Sequence, residues 1–262
     1  MSEQTTSPLI DLKVLVTRPE DQAKAFCSLL ANYGATAIPL PAIRILPLSI
    51  DPDMFTLPAE KPRHYAVFIS CNAVTQARPW LGKLPRGVRF VAIGRKTAKA
   101  LQSLGINVDL VPREGFTSEA LLALPELQKL DDAHFILFRG AGGREHLART
   151  LTERGATVTS LALYQRVKPD IELTELENKL VTASPDVVTI TSVETLRNFL
   201  AMTDKLPSFN ARALPVIAGS KRIGTAVAEA GFGPTPVIAN DPTDQSMLQA
   251  LLRWKQQEML QS

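Results

Sequence analysis

The chain alternates two hydrophobic rhythms. Short, nearly unbroken apolar runs recur along it: Leu12–Val16 (LKVLV), Ala66–Ser70 (AVFIS), Arg89–Ile93 (RFVAI), Phe135–Gly140 (FILFRG) and Val187–Ser192 (VVTITS). Runs of this length predict strands buried on both faces, as in parallel sheets. Between them apolar residues return at helical spacing, as Ala23, Phe26, Cys27, Leu30 and Tyr33 do on one face after Thr17-Arg18-Pro19-Glu20-Asp21. Pro19 suits the first helical position, and the two acids suit the positive end of the helix dipole. Gly34 ends that helix and Thr36–Leu40 reads as the next strand. The same rhythm predicts a helix from Ala73 and another from the Gly94-Arg95-Lys96-Thr97 turn to Leu104. It then predicts a short strand at Val108–Val111 and a helix capped at Thr117-Ser118-Glu119 that runs through Leu124. Strands alternating with helices imply an α/β protein with parallel sheets.

From Phe135 the pattern starts over. FILFRG (Phe135–Gly140) parallels VLVTRP (Val14–Pro19), and RGATVTSLALY parallels YGATAIPLPAI; Arg18 and Arg139, like Gly34 and Gly155, stand 121 residues apart. VVTITS parallels VFIS (Val67–Ser70), VIAGSKRIG (Val216–Gly224) parallels VAIGRKTAK, and DPTDQSMLQALL (Asp241–Leu252) parallels EGFTSEALLAL, with Thr243 opposite Thr117. This is a duplicated strand–helix series, not a short-period solenoid. It predicts two similar domains. Pro39, Pro41 and Pro47 break regular pairing as a domain crossing would, and Gln165–Pro169 lies one repeat later. The two Gly-Ala-Thr stretches, Gly34–Ile45 and Gly155–Val167, therefore read as crossings. Residues 1–38 with 171–262 form a discontinuous domain, residues 44–163 are inserted, and residues 39–43 and 164–170 connect them. On this reading a functional cleft lies between the domains, with Tyr164 on its wall.

Composition narrows the function. The 262 residues are 45% hydrophobic and 21% charged, enough for a buried core. A net charge of +3 is too mild for nucleic acid but suits an anionic small molecule. No apolar run is long enough to span a bilayer. MSEQTTSPLIDLK lacks the basic and apolar regions of a secretory signal, and Cys27 and Cys71 lack CxxC spacing, so a reducing cytoplasm is expected. Cys27 reads as a buried thiol. His64, His134 and His146 have no paired-ligand spacing, so no metal is expected, and they read as surface or strand-end residues. Cys71 is the only conceivable nucleophile, a weak one. Asp131, Asp132 and Asp241 fall in loops, where a turn role is the default.

In open parallel sheets ligands bind beyond the carboxyl ends of the strands. The turns there are Thr17-Arg18-Pro19, Ser70-Cys71-Asn72, Gly94-Arg95-Lys96-Thr97, Arg139-Gly140-Ala141-Gly142-Gly143, Thr191-Ser192 and Gly219-Ser220-Lys221-Arg222. Each leads into a helix, whose free N–H groups hold anions well. Singly, their Ser, Thr and Asn residues are ordinary N-caps; together, with Arg or Lys in four of the turns, the set points to anion binding. Arg18 and Arg139 either grip carboxylates of a ligand or pair with acids of the chain. The glycine-rich Arg139–Arg144 loop matches neither nucleotide fingerprint. Tyr164, followed by Gln165-Arg166-Val167-Lys168-Pro169, is either a packing aromatic or a phenol able to exchange a proton.

These residues resemble the uroporphyrinogen-III synthase family over nearly the whole chain. The resemblance is carried by Thr17-Arg18-Pro19, Gly34-Ala35, Phe68-Ile69-Ser70-Cys71-Asn72-Ala73-Val74 and Ala92-Ile93-Gly94-Arg95-Lys96-Thr97-Ala98. Gly115-Phe116-Thr117-Ser118-Glu119, Arg139-Gly140 and the Tyr164–Pro169 spacing complete it. It implies two flavodoxin-like or Rossmann-like parallel-sheet domains, interleaved and joined by a two-stranded connector. It implies cyclisation of the linear tetrapyrrole hydroxymethylbilane to uroporphyrinogen III, with loss of water and inversion of ring D, and no metal or organic cofactor. Tyr164 would protonate the departing hydroxyl. Arg18, Ser70, Cys71, Asn72, Gly94, Arg95, Lys96, Thr97, Arg139, Gly140, Gly142, Thr191, Ser192, Ser220 and Lys221 would bind the substrate. A cytoplasmic monomer, receiving substrate by hand-over from the preceding enzyme and binding neither nucleic acid nor membrane, is expected. The sequence departs from the family at Gly219–Gly224, which carries an extra residue and no threonine aligned with Thr97. The competing readings are a non-catalytic two-lobed protein for an anionic ligand, and more weakly a nucleotide-dependent transferase using the Arg139–Arg144 loop.

Overall fold

A computed structural model describes residues 7–51, 61–84, 86–115, 117–143 and 145–261. In chain order the elements are β1 (Lys13–Val16), α1 (Glu20–Asn32), β2 (Thr36–Pro39), β3 (Arg44–Pro47), β4 (Arg63–Phe68), α2 (Cys71–Ala77), β5 (Arg89–Ala92) and α3 (Arg95–Gln102). Then follow α4 (Ser118–Leu122), β6 (Ala133–Gly140), α5 (His146–Glu153), β7 (Thr157–Val167), α6 (Leu173–Ala183), β8 (Val187–Ile190), α7 (Val193–Thr203), β9 (Val216–Ala218), α8 (Lys221–Glu229), β10 (Val237–Ile238) and α9 (Asp244–Gln261). The protein is mixed α/β with parallel-strand sheets.

By contacts the chain divides into two compact units, Met1–Arg44 with Val167–Ser262, and Ile45–Arg166. The first holds a sheet of order β10-β9-β8-β1-β2. Its central strands are mostly apolar because both faces are covered: Leu15 and Val188 pack into one cluster with Leu176, Leu196 and Phe199, while Val14, Val16 and Val187 face Phe26, Leu30 and Leu251. The second has the sheet order β3-β7-β6-β4-β5. Ala66, Phe68, Ile136 and Phe138 face α2 and α3, and Tyr65, Val67, Phe135 and Leu137 face α4 and α5. Side chains on matched positions of β4 and β6 stack, Phe68 on Phe138 and Tyr65 on Phe135, each pair with ring centroids 4.5 Å apart. Replacing one such buried Phe by Ala would cost about 3–5 kcal/mol.

Several local expectations are corrected. The proline-rich stretch breaks pairing over residues 40–43, where the chain passes from one unit to the other, but Pro39 and Pro47 themselves lie in strands. Pro39 pairs with Val16 on β2, an edge strand, where a missing N–H is tolerated, and the chain resumes as β3 beside β7. Pro19 is the N-cap of α1 and Glu20 its first residue. The helix expected from Ala73 begins at Cys71. Val108–Val111 forms only an isolated bridge, Val91 to Leu110. Helix α4 stops at Leu122, because Leu124 precedes Pro125 and is driven to extended backbone. Cys27 is only half-buried, and burial is the main cause that lifts its thiol pKa above the ordinary value.

Candidate functional site

The turns at the carboxyl ends of the strands are all helix entries. In the unit Ile45–Arg166, Ser70 follows β4 in extended backbone and caps α2, its Oγ accepting the Ala73 N–H at 3.0 Å. That oxygen also lies 3.0 Å from the Tyr164 hydroxyl. Cys71 and Asn72, the first residues of α2, are half-buried, and Cys71 is a free thiol. Gly94 caps α3 without a side chain; Arg95 and Lys96 are exposed, Arg95 donating to the Arg113 carbonyl, while Thr97 is buried.

Tyr164 owes its position to a register shift. Along the β6–β7 ladder Arg139 pairs with Ala162, but Gly140 pairs with Tyr164, so Leu163 is an extra residue and the ladder bulges. The Ala141 N–H closes the bulge on the Tyr164 carbonyl at 2.7 Å. A regular strand sends successive side chains to opposite faces; the bulge sends Leu163 and Tyr164 into the same core, with Phe68 and Phe138. The Tyr164 ring is 2% exposed. Gly140 makes the room for it: a Cβ there would stand 2.7–3.0 Å from the ring and its oxygen. The Arg166 guanidinium lies 6.0 Å from the ring centroid, at the outer limit of a cation–π contact.

Arg139, the last side chain before Gly140, is buried and turned back on its own loop, donating to Glu145 Oε1 at 2.7 Å and to the Gly143 carbonyl. Gly142 is exposed and left-handed at φ +72°, a conformation that suits glycine. Arg144 and Phe116 lie outside the described residues, so the Arg139–Arg144 loop and the Gly115–Glu119 motif are seen only in part.

The unit Met1–Arg44 with Val167–Ser262 repeats the scheme. Arg18 is buried beside Phe26, 4.6 Å above its ring, and pairs with Asp244 while donating to the Pro242 carbonyl. Thr17 beside it donates to the Thr189 carbonyl at 2.6 Å. Thr191 and Ser192 are half-buried, and Ser192 caps α7 through the Thr195 N–H at 3.0 Å. Ser220 caps α8 through the Ile223 N–H, and Lys221 is exposed. The extra residue of Gly219–Gly224 is thereby explained: Ser220 takes the cap place that Gly94 holds before α3, which puts Ile223 where α3 has Thr97.

Of the alternatives left open for Arg18 and Arg139, each arginine has an acid of its own chain, Asp244 and Glu145, neither foreseen from the sequence. A buried guanidinium needs such a partner, but an acid six or 226 positions away has no local signature. The Ser70–Tyr164 contact was also missed; only the consecutive apolar residues Leu163 and Tyr164, out of step with strand alternation, hint at it. His64 and His134 sit at the amino ends of β4 and β6, away from these turns, with ring centroids 6.0 Å apart. His134 is at a strand end but buried, not on the surface, and bonded to Thr159 at 2.9 Å. Among the described residues no group of three or more His, Cys, Asp or Glu could hold a metal, and no helix is long and apolar enough to cross a membrane.

The family model described as uroporphyrinogen-III synthase HemD matches residues 24–249. The chain belongs to this family. It is 30% identical to the uroporphyrinogen-III synthase of Escherichia coli K12, over 92% of this chain and all of that one, and 33% identical to that of Proteus mirabilis over 72% and 98%. The fold is likewise that of solved members. A mutant uroporphyrinogen III synthase from the extremely thermophilic bacterium Thermus thermophilus superposes with a TM-score of 0.59 at 20% identity, over 94% of this chain and 99% of that one. The Helicobacter pylori uroporphyrinogen-III synthetase gives 0.60 at 18%, over 93% and 99%.

Proposed function

We propose that this chain is a uroporphyrinogen-III synthase, a cyclising lyase that converts hydroxymethylbilane to uroporphyrinogen III with loss of water and inversion of ring D. The observation that carries this reading is the family match across residues 24–249, with full-length similarity to the Escherichia coli enzyme. The reading places a polycarboxylate on the strand-end turns. Arg18, Thr191, Ser192, Ser220 and Lys221 serve it in one unit, and Ser70, Cys71, Asn72, Gly94, Arg95, Lys96, Thr97, Arg139, Gly140 and Gly142 in the other, many through helix-entry N–H groups. For Arg18 and Arg139 this role is shared with Asp244 and Glu145.

The chemistry asks little acid–base power. The hydroxymethyl group leaves readily once the pyrrole nitrogen pushes, and Tyr164 supplies the proton that lets it go as water. The harder task is geometric, bringing the hydroxymethyl carbon to the substituted carbon of ring D, and that is work for positioning. No cofactor is required by these steps.

The finer architecture is part of the proposal: two interleaved flavodoxin-like domains joined by a two-stranded connector. Supporting it, β2-β1-β8-β9-β10 follows the flavodoxin strand order 2-1-3-4-5, and β5-β4-β6-β7 follows its first four positions, with β3 added at the far edge. The enzyme is read as a cytoplasmic monomer, supplied by the enzyme that makes its unstable substrate. The decisive test is product analysis: purified protein given freshly made hydroxymethylbilane yields the type III isomer, and type I alone overturns the assignment. Tyr164→Phe is expected to lower kcat roughly ten- to a hundredfold with little change in KM, at or below the usual range for a general acid.

A further inference from the structure

The phenol that is to give up a proton is sealed. Tyr164 is 2% exposed, its ring locked between the bulge at Leu163 and the bare backbone of Gly140. Ser70, its hydrogen-bond partner, is half-buried and heads a turn at the carboxyl end of the sheet. A serine hydroxyl has one proton and two lone pairs. The Ala73 N–H, always a donor, occupies one lone pair at 3.0 Å. With the Tyr164 hydroxyl donating into the other at 3.0 Å, the Ser70 proton is left to point away from both.

We propose that Ser70 is a catalytic residue, the hydroxyl through which Tyr164 delivers its proton to the departing hydroxyl of the substrate. The proposal rests on the reading of Tyr164 as the acid. As the substrate C–O bond breaks, its electron pair goes to the oxygen, which takes the Ser70 proton and leaves as water. Ser70 Oγ takes the Tyr164 proton in the same movement, leaving a phenolate that receives a hydrogen bond from the restored serine. The products are the macrocycle and water, so the carbon framework gives up one proton on closing, and that proton returns along the same two oxygens.

The test is a double-mutant cycle on kcat and KM with hydroxymethylbilane. Glycine is nearly as good an N-cap as serine, so Ser70→Gly keeps α2 while removing the hydroxyl, and Ser70→Thr keeps both. Ser70→Gly and Tyr164→Phe each lower kcat by about the same factor, roughly ten- to a hundredfold, with KM within about twofold. The double variant is no slower than the slower single one, and Ser70→Thr recovers most of the loss. A merely structural serine would add its loss to that of Tyr164→Phe. If Ser70→Gly costs the same factor with Phe at 164 as with Tyr, or Ser70→Thr is no better than Ser70→Gly, the relay is overturned while Tyr164 stands as the acid. A Tyr164→Phe variant as fast as the parent removes acid and relay together.

Discussion

Ser70 and Ser192 hold the same place in the two units and start from the same backbone. Ser70 stands at φ −167°, ψ 161° and Ser192 at φ −154°, ψ 158°, and each accepts the N–H three residues on. They differ in where the hydroxyl goes next. Ser192 turns inward to its own helix, 2.8 Å from Thr195 Oγ1; Ser70 has Ala73 at that position and reaches instead to Tyr164, 94 residues away. The strand neighbour changes in step: Pro19 follows Arg18 in one unit, whereas Gly140 follows Arg139 in the other and leaves space for a phenol. One duplicated turn is thus a self-contained cap, and its counterpart opens onto a distant side chain. Duplication conserves the cap, which folding needs, and frees the second valence of the oxygen for chemistry.

The contrast can be broken first at Gly140. Gly140→Ala puts a methyl against a buried ring that has nowhere to go, so the variant loses about 1–3 kcal/mol by denaturant unfolding and most of its turnover. Pro19→Ala, at the matching place, has no ring to displace and keeps far more of both. Next come the acids that hold the two arginines. Asp244→Ala strips a partly covered partner from buried Arg18 and costs about 1.5–3 kcal/mol; Glu145, 72% exposed, is worth less than about 1 kcal/mol to Arg139. Chemical denaturation of the two variants side by side checks the order.

A smaller and sharper comparison is Ser70→Ala against Ser192→Ala. Each loses an N-cap, about 1 kcal/mol of stability, but the first lowers kcat and the second acts on KM. Equal effects on kcat would erase the distinction between the two turns. Smallest is Asp132, at the opposite end of its sheet from Ser70. Its hydrogen bond from Arg63 holds its carboxyl below the ordinary carboxylate range, so its stabilising effect is present above the unfolded-state value and fades as pH falls through the lower native one. Asp132→Asn should flatten only that acid limb of a pH–stability profile, leaving kcat as it was.

Much of the scaffold was legible because it is written in short-range code. Buried parallel strands announce themselves as LKVLV or FILFRG, and helix entries as Ser, Thr or Gly beyond them. Strand β3 was hidden because prolines ordinarily signal irregular chain, and an edge strand tolerates them. The site was legible as a set of turns but not as a set of contacts. Tyr164 was singled out, yet its bulge, its space at Gly140 and its bond to Ser70 all depend on pairing between β6 and β7 or on chain 94 residues distant. The acids facing Arg18 and Arg139 escaped for the same reason.

The threading has a consequence for biogenesis. Strand β1 pairs with β8, so the sheet begun by residue 13 waits for residues near 187 before its centre can close. The unit Ile45–Arg166 builds its own sheet from one continuous stretch of chain. Emerging from the ribosome amino end first, the nested unit can complete itself while β1 and β2 are still without their central neighbour. Closing the sheet of the discontinuous unit over that long range is expected to be the slow, late event, and a truncated chain ending before β8 would leave a finished Ile45–Arg166 unit carrying an orphaned amino-terminal strand, helix and strand.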